Sequence, residues 1–162
     1  MRKILFSFLI IAGIQFSFSQ TTTYYLIRHA DKILTTKKDP DLTTRGIERS
    51  NLWAKVFEDV QFDIIYSTDY NRTRNTAIPT AKQKNLEVKI YEARKLFNPN
   101  FLKETKGKTV LIVGHSNTIP FLANKILGSD KYQEIDERNY TNLYIVTKTE
   151  EKTDGVLLHI YD

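Results

Sequence analysis

Two short apolar runs in this chain end in a histidine. One is Tyr24-Tyr25-Leu26-Ile27-Arg28-His29-Ala30-Asp31 and the other is Val113-Gly114-His115-Ser116-Asn117-Thr118. Each histidine follows β-prone residues and precedes turn or helix-start chemistry. Residues at the carboxyl ends of parallel strands line the ligand crevice of an α/β sheet. A histidine pair with an arginine beside one member is therefore suited to an anionic group. A neutral imidazole is a competent nucleophile near pH 7, because its pKa lies close to ambient. Arginine presents a planar fork of donors that matches phosphate oxygens and stays charged at any working pH. Helix N-termini add N–H groups and a favourable dipole. Phosphoryl transfer asks for little more than an in-line nucleophile and positive charge around the phosphoryl oxygens.

A second cationic segment, Asp69-Tyr70-Asn71-Arg72-Thr73-Arg74, opens a predicted helix. Residues two apart on a helix point in nearly opposite directions, so only one of Arg72 and Arg74 can reach a shared anion. Metal binding is the competing use of a histidine pair. A zinc site usually needs three protein ligands, and nothing here recurs at ligand spacing, so neither metal nor cofactor is expected.

The elements that must position these residues are legible as alternating patterns. Short runs rich in Val, Ile, Leu and Tyr predict strands at Tyr24–Arg28, Asp63–Ser67, Val88–Tyr91, Thr109–Gly114, Asn142–Thr147 and Val156–Tyr161. Trp53, Val56, Phe57 and Val60 follow helical spacing, as do Ile119, Leu122 and Ile126. Ser116 reads as the N-cap of the second of these helices, Gly128 as its stop, and Thr43 and Asp69 as caps elsewhere. Pro79 falls inside a helical stretch and predicts a bend or a break. Such alternation predicts a single α/β domain, with a mostly parallel central sheet and helices on both faces. The last two strands lack a helix between them, which suggests a hairpin across Thr153-Asp154-Gly155.

Composition narrows the classes. The chain has 162 residues, a net charge of +5 and no cysteine. Disulfides, a lipid-modified cysteine and cysteine-ligated metals are thereby excluded. Residues 1–19 read as a signal peptide: Arg2 and Lys3, then an apolar stretch from Ile4 to Ile14, then small residues before Gln20. A membrane anchor is the alternative, but a spanning helix needs about 20 apolar residues. The expectation is cleavage, export to the periplasm or medium, no stable membrane association thereafter, and a domain over 20–162. The remaining charge is small and mixed in sign, which argues against a nucleic-acid partner.

Four segments in order resemble the histidine phosphatase (phosphoglycerate mutase-like) superfamily. Arg28-His29-Ala30 is similar to its Arg-His-Gly/Ala signature, and Leu42-Thr43-Thr44-Arg45-Gly46 to its Leu-Thr-x-x-Gly segment. Ser67 to Ala77 matches Ser-x-x-x-x-Arg-x-x-x-Thr-Ala, and Gly114-His115-Ser116 resembles the second histidine motif. The resemblance implies His29 as phosphate-accepting nucleophile, with Arg28, Arg72 and His115 around the phosphate. It selects Arg72 over Arg74, and adds Ser116 and Asn117 as further contacts. For the proton donor it points to Glu92 by order along the chain, or to Asp31, two residues past the nucleophile. The compact length looks most like the small phosphohistidine-phosphatase branch. The expected activity is metal-independent hydrolysis of a small phosphorylated substrate through a phosphohistidine. A phosphate-ester binding module with little turnover, a phosphohistidine phosphatase and a phosphomutase are the alternatives.

Overall fold

The computed structural model describes residues 20–35 and 38–161; the expected signal peptide lies outside the described residues. Six strands form one sheet: β1 (Thr22–Arg28), β2 (Ile64–Thr68), β3 (Val88–Tyr91), β4 (Thr109–Gly114), β5 (Asn142–Lys148) and β6 (Thr153–His159). Their order across the sheet is β3-β2-β4-β1-β5-β6. The first four pair in parallel, and β5 and β6 add antiparallel to that edge. Four helices complete the chain: α1 (Thr44–Val56), α2 (Asn71–Lys84), α3 (Pro99–Thr105) and α4 (Thr118–Leu127). The predicted α/β class, mostly parallel with helices on both faces, is what the chain adopts.

Strand periodicity explains the two layers. Successive side chains point to opposite faces, so Val110 and Ile112 pack on one side of β4 while Leu111 and Val113 pack on the other. The first face is closed by Phe101 of α3 and Ile119, Leu122 and Ile126 of α4. The second is closed by Trp53 of α1 and Ala77 and Ala81 of α2. Burying each large aliphatic side chain contributes about 1.5–3 kcal/mol, which lets a chain without disulfides hold by its core. Among the described residues no helix is long and apolar enough to cross a membrane.

Several local expectations change. The helix α2 runs unbroken through Pro79, so a break does not occur. The final turn lies at Thr149–Lys152, where the Thr149 amide donates to the Lys152 carbonyl, and β6 already begins at Thr153. Gly155 sits within β6 opposite Val146. A Cβ there would lie 3.0 Å from Leu127 and the Tyr132 hydroxyl, so the glycine serves close packing rather than a turn. Ser116 does not cap α4; Asn117 holds that position without a side-chain bond. Asp69 likewise does not cap α2 and pairs with Arg74 instead. Thr43 does cap α1, accepting from the Gly46 amide at 3.0 Å, and Gly128 ends α4 in the left-handed region.

Candidate active site

Adjacent parallel strands bring the two histidines together. Arg28 of β1 is in register with Gly114 of β4, and the His29 amide donates to the Gly114 carbonyl at 2.9 Å. The imidazoles follow their strands side by side, with ring centroids 5.7 Å apart and planes inclined at 66°. On the other side of β4, β2 ends at Thr68, and the α2 N-terminus three residues later carries Arg72. Thr76 ties this helix to the loop that follows β1. Its Oγ1 accepts from the Ala30 amide at 2.9 Å and donates to the Arg72 carbonyl at 2.7 Å.

The hydrogen bonds assign a tautomer to each ring. His29 Nδ1 lies 2.8 Å from the Ala30 carbonyl oxygen, which can only accept. Nδ1 therefore carries the proton and the Nε2 lone pair is left for an electrophile. His115 Nε2 lies 3.0 Å from Thr68 Oγ1. The Thr68 hydroxyl donates to Thr73 Oγ1 at 3.0 Å, and Thr73 in turn donates to the Thr68 and Tyr70 carbonyls. With the Thr68 proton so used, His115 donates to Thr68 from Nε2.

Burial, with the neighbouring positive charges adding to it, pushes His29 down to about 3 and His115 down to about 4. Both rings are neutral at pH 7. The pH dependence of kcat/KM reports the free enzyme's essential groups. After allowance for substrate ionisation, the acid limb should therefore lie near pH 4, not at the 6.5 of a free imidazole. Stability follows the same linkage. The unfolded chain takes up protons below pH 6.5 while the folded rings do not, so stability is lost as pH falls from 6.5 toward 3. A titration of kcat/KM with an acid limb at pH 6 to 7 would contradict these neutral, buried imidazoles.

Arg28 is buried and Arg72 half-buried beside the rings, and the Nε of each lacks a partner. Arg28 Nη1 lies 3.0 Å from the carbonyls of Asp136, Glu137 and Asn139, and Nη2 donates to Glu137 Oε2 at 2.8 Å. Tyr140 covers its guanidinium at 4.3 Å and stands 6.1 Å from the His29 ring. Arg72 lies 4.3 Å above the Tyr70 ring and 3.6 Å from Asp39. Tyr70 in turn meets His115 edge-on at 5.2 Å. The Nε atoms of Arg28 and Arg72 are buried with no partner. Unsatisfied buried donors are uncommon, and two of them beside a pair of neutral imidazoles mark where an anion's oxygens belong.

The remaining candidates separate. Ser116 is at the site but donates to Glu137 Oε1 at 2.7 Å, while Asn117 makes no side-chain cap bond. Asp31 is committed to buried Arg49 at 2.8 Å and approached by Arg45 at 3.9 Å. Glu92 is exposed and pairs with Lys95 at 2.7 Å rather than with Arg94, which lies over Phe121. Glu92 nevertheless lines a cleft of about 400 Å³ with Thr68, Tyr70 and Tyr91. A second cleft of about 390 Å³, containing Lys32 and Arg72, opens on the other side of Tyr70. Arg74 points away, bonded to Asp69 and Asn71. Sequence reasoning missed Thr68, Glu137 and Tyr140. Thr68 falls inside a recognised motif, whereas Glu137 and Tyr140 lie in a polar loop with no periodicity to single them out.

Fold and side chains together define an α/β protein with paired imidazoles and paired arginines at the carboxyl ends of its parallel strands. The sequence model of the histidine phosphatase superfamily (branch 1) matches residues 24–95. Over those residues, less than half of its length, the chain is similar to that superfamily. It is 44% identical over 50 residues to phosphoserine phosphatase 1 of Hydrogenobacter thermophilus, a match covering 31% of this chain and 24% of that protein. It is 34% identical over 64 residues to the 2,3-bisphosphoglycerate-dependent phosphoglycerate mutase of Allorhizobium ampelinum, covering 35% and 30% respectively. These matches span less than a third of either relative. The fold is similar to that of the protein histidine phosphatase SixA complexed with tungstate. There the TM-score is 0.68 at 16% identity, over 85% of this chain and 96% of that one.

Proposed function

We propose that this protein is a phosphoric monoester hydrolase that works through a phosphohistidine on His29, without a metal. The observation that carries the reading is the free Nε2 of a neutral His29, fixed by the Ala30 carbonyl, beside two arginines with unsatisfied buried N–H groups. In the first step Nε2 forms a bond to phosphorus as the ester P–O bond breaks, and the leaving oxygen takes a proton. In the second, water adds to phosphorus and the P–N bond breaks, returning the lone pair to Nε2. The guanidinium groups supply the positive charge that the transferring group requires. Of the two carboxyl candidates for the leaving-group proton, Glu92 is favoured, since it lines a cleft with Thr68 and Tyr70 whereas Asp31 is held by Arg49.

The charged start and apolar run over 1–19 support the reading of an exported domain over 20–162, acting on small phosphomonoesters outside the cytoplasm. Phosphoserine and phosphoglycerates, named in two relatives, are the first substrates to assay. The match to a mutase also motivates the second reading, in which phosphate returns to another position of the substrate rather than to water. Release of inorganic phosphate from labelled substrate, with no label in an isomeric ester, separates the two. Turnover should persist after thorough chelation, because among the described residues no group of three or more His, Cys, Asp or Glu is placed to hold a metal. Activity lost to chelator and restored by one particular ion would overturn the mechanism.

A further inference from the structure

The guanidinium of Arg28 is only partly available to a ligand, and the residue that restricts it is Glu137. Arginine binds phosphate best through two parallel N–H bonds from one edge of its fork. On Arg28 the edge formed by Nε and Nη2 is split. Nε is buried without a partner, while Nη2 donates to Glu137 Oε2 at 2.8 Å. The other carboxylate oxygen accepts from Ser116 Oγ at 2.7 Å, and Lys32 Nζ stands 3.9 Å from Oε2. A guanidinium, a hydroxyl and an ammonium thus converge on one carboxylate, as they would on the oxygens of a phosphoryl group.

The burial is asymmetric. The Arg28 side chain is 1% exposed and that of Glu137 is 66% exposed, so the acid approaches from solvent and can return to it at little cost. The loop would survive its departure, because Nη1 holds the Asp136, Glu137 and Asn139 carbonyls independently and Tyr140 stays stacked on the guanidinium.

We propose that Glu137 is a built-in competitor for the phosphate fork. Its carboxylate occupies Arg28 Nη2 and Ser116 in the free protein and yields them to an incoming phosphoryl group. The residue thereby weakens phosphate binding and hastens release of the inorganic product. This inference rests on the phosphate-pocket reading given above.

Calorimetric titration of the wild type with inorganic phosphate, at fixed ionic strength and pH 7, tests both. Glu137→Gln should bind phosphate roughly twofold to fivefold tighter, the scale expected for removing one partly screened charge contact. Inhibition of turnover by phosphate should strengthen in parallel. Glu137→Asp keeps the charge but shortens the reach, and should fall between the two. A merely structural role for Glu137 gives the opposite sign, since a disordered loop would loosen the pocket and weaken binding. Wild type that binds phosphate while Glu137→Gln binds it equally or more weakly would overturn the competitor role alone. Wild type that binds no phosphate would remove the pocket reading and this inference with it.

Discussion

His29→Ala should abolish turnover, lowering kcat by roughly four orders of magnitude or more, as loss of a covalent nucleophile commonly does. The variant should fold, because among the described residues the side chain's one hydrogen bond is the local one to the Ala30 carbonyl. The accompanying signature is a phosphoenzyme. Phosphate on an imidazole nitrogen is labile in acid and survives alkali, the reverse of serine phosphate. Quenching a turnover of labelled substrate in base should trap label on the peptide that contains His29, and His29→Ala should carry none. His115→Ala should still accept label, more slowly, since its ring packs edge-on against His29 and holds it in place. The neighbouring ring is a stringent control at a centroid distance of 5.7 Å. Label on His115, or full activity in His29→Ala, would reverse the assignment.

Arg28→Ala and Arg72→Ala should fail in different ways. Arg28 satisfies three loop carbonyls and a carboxylate from within the sheet. Its removal leaves acceptors unpaired at a buried position and should cost about 3 kcal/mol of stability or more. For a domain of this size that lowers the thermal midpoint by roughly 10 °C. Arg72 makes one long ion pair and a stacking contact, so Arg72→Ala should melt close to the wild type. It should instead lose several kcal/mol of transition-state stabilisation, about a hundredfold to a thousandfold in kcat/KM. Arg74→Ala should change neither quantity appreciably. Melting curves and kcat/KM for the three variants separate these outcomes. An unstable Arg72→Ala beside a stable Arg28→Ala would show that the loop is held by something other than Arg28.

Much of this protein is legible in its sequence because the signals are local. Buried parallel strands must be nearly continuous apolar runs, so Thr109–Gly114 and Tyr24–Arg28 declared themselves, and with them the histidines at their ends. Helical spacing of Trp53 and Phe57, the Thr43 cap and the Gly128 stop are likewise decided within a few residues of chain. Cap assignments failed where a side chain took a charged partner instead of a backbone amide: Ser116 turned to Glu137, 21 residues on, and Asp69 to Arg74 in the first turns of α2 itself. Gly155 read as a turn because glycine permits one, yet its place is set by Leu127 and Tyr132 packed against β6.

By itself, then, the sequence determined the alternation of strand and helix, the α/β class, and the strand-end histidines and arginines that could handle a phosphoryl group. Tertiary structure alone decided the state of those groups. Which imidazole nitrogen is free depends on the Ala30 carbonyl for one ring and on the Thr68–Thr73 hydroxyls for the other. Neutrality of both rings comes from burial, which no residue type carries in advance. The partition of Arg28 between loop and ligand depends on contacts up to 111 residues away in the chain. Periodicity and propensity act over a turn or a strand, whereas hydrogen-bond partners and desolvation are fixed only when β1, β4 and the Asp136–Tyr140 loop close on one another.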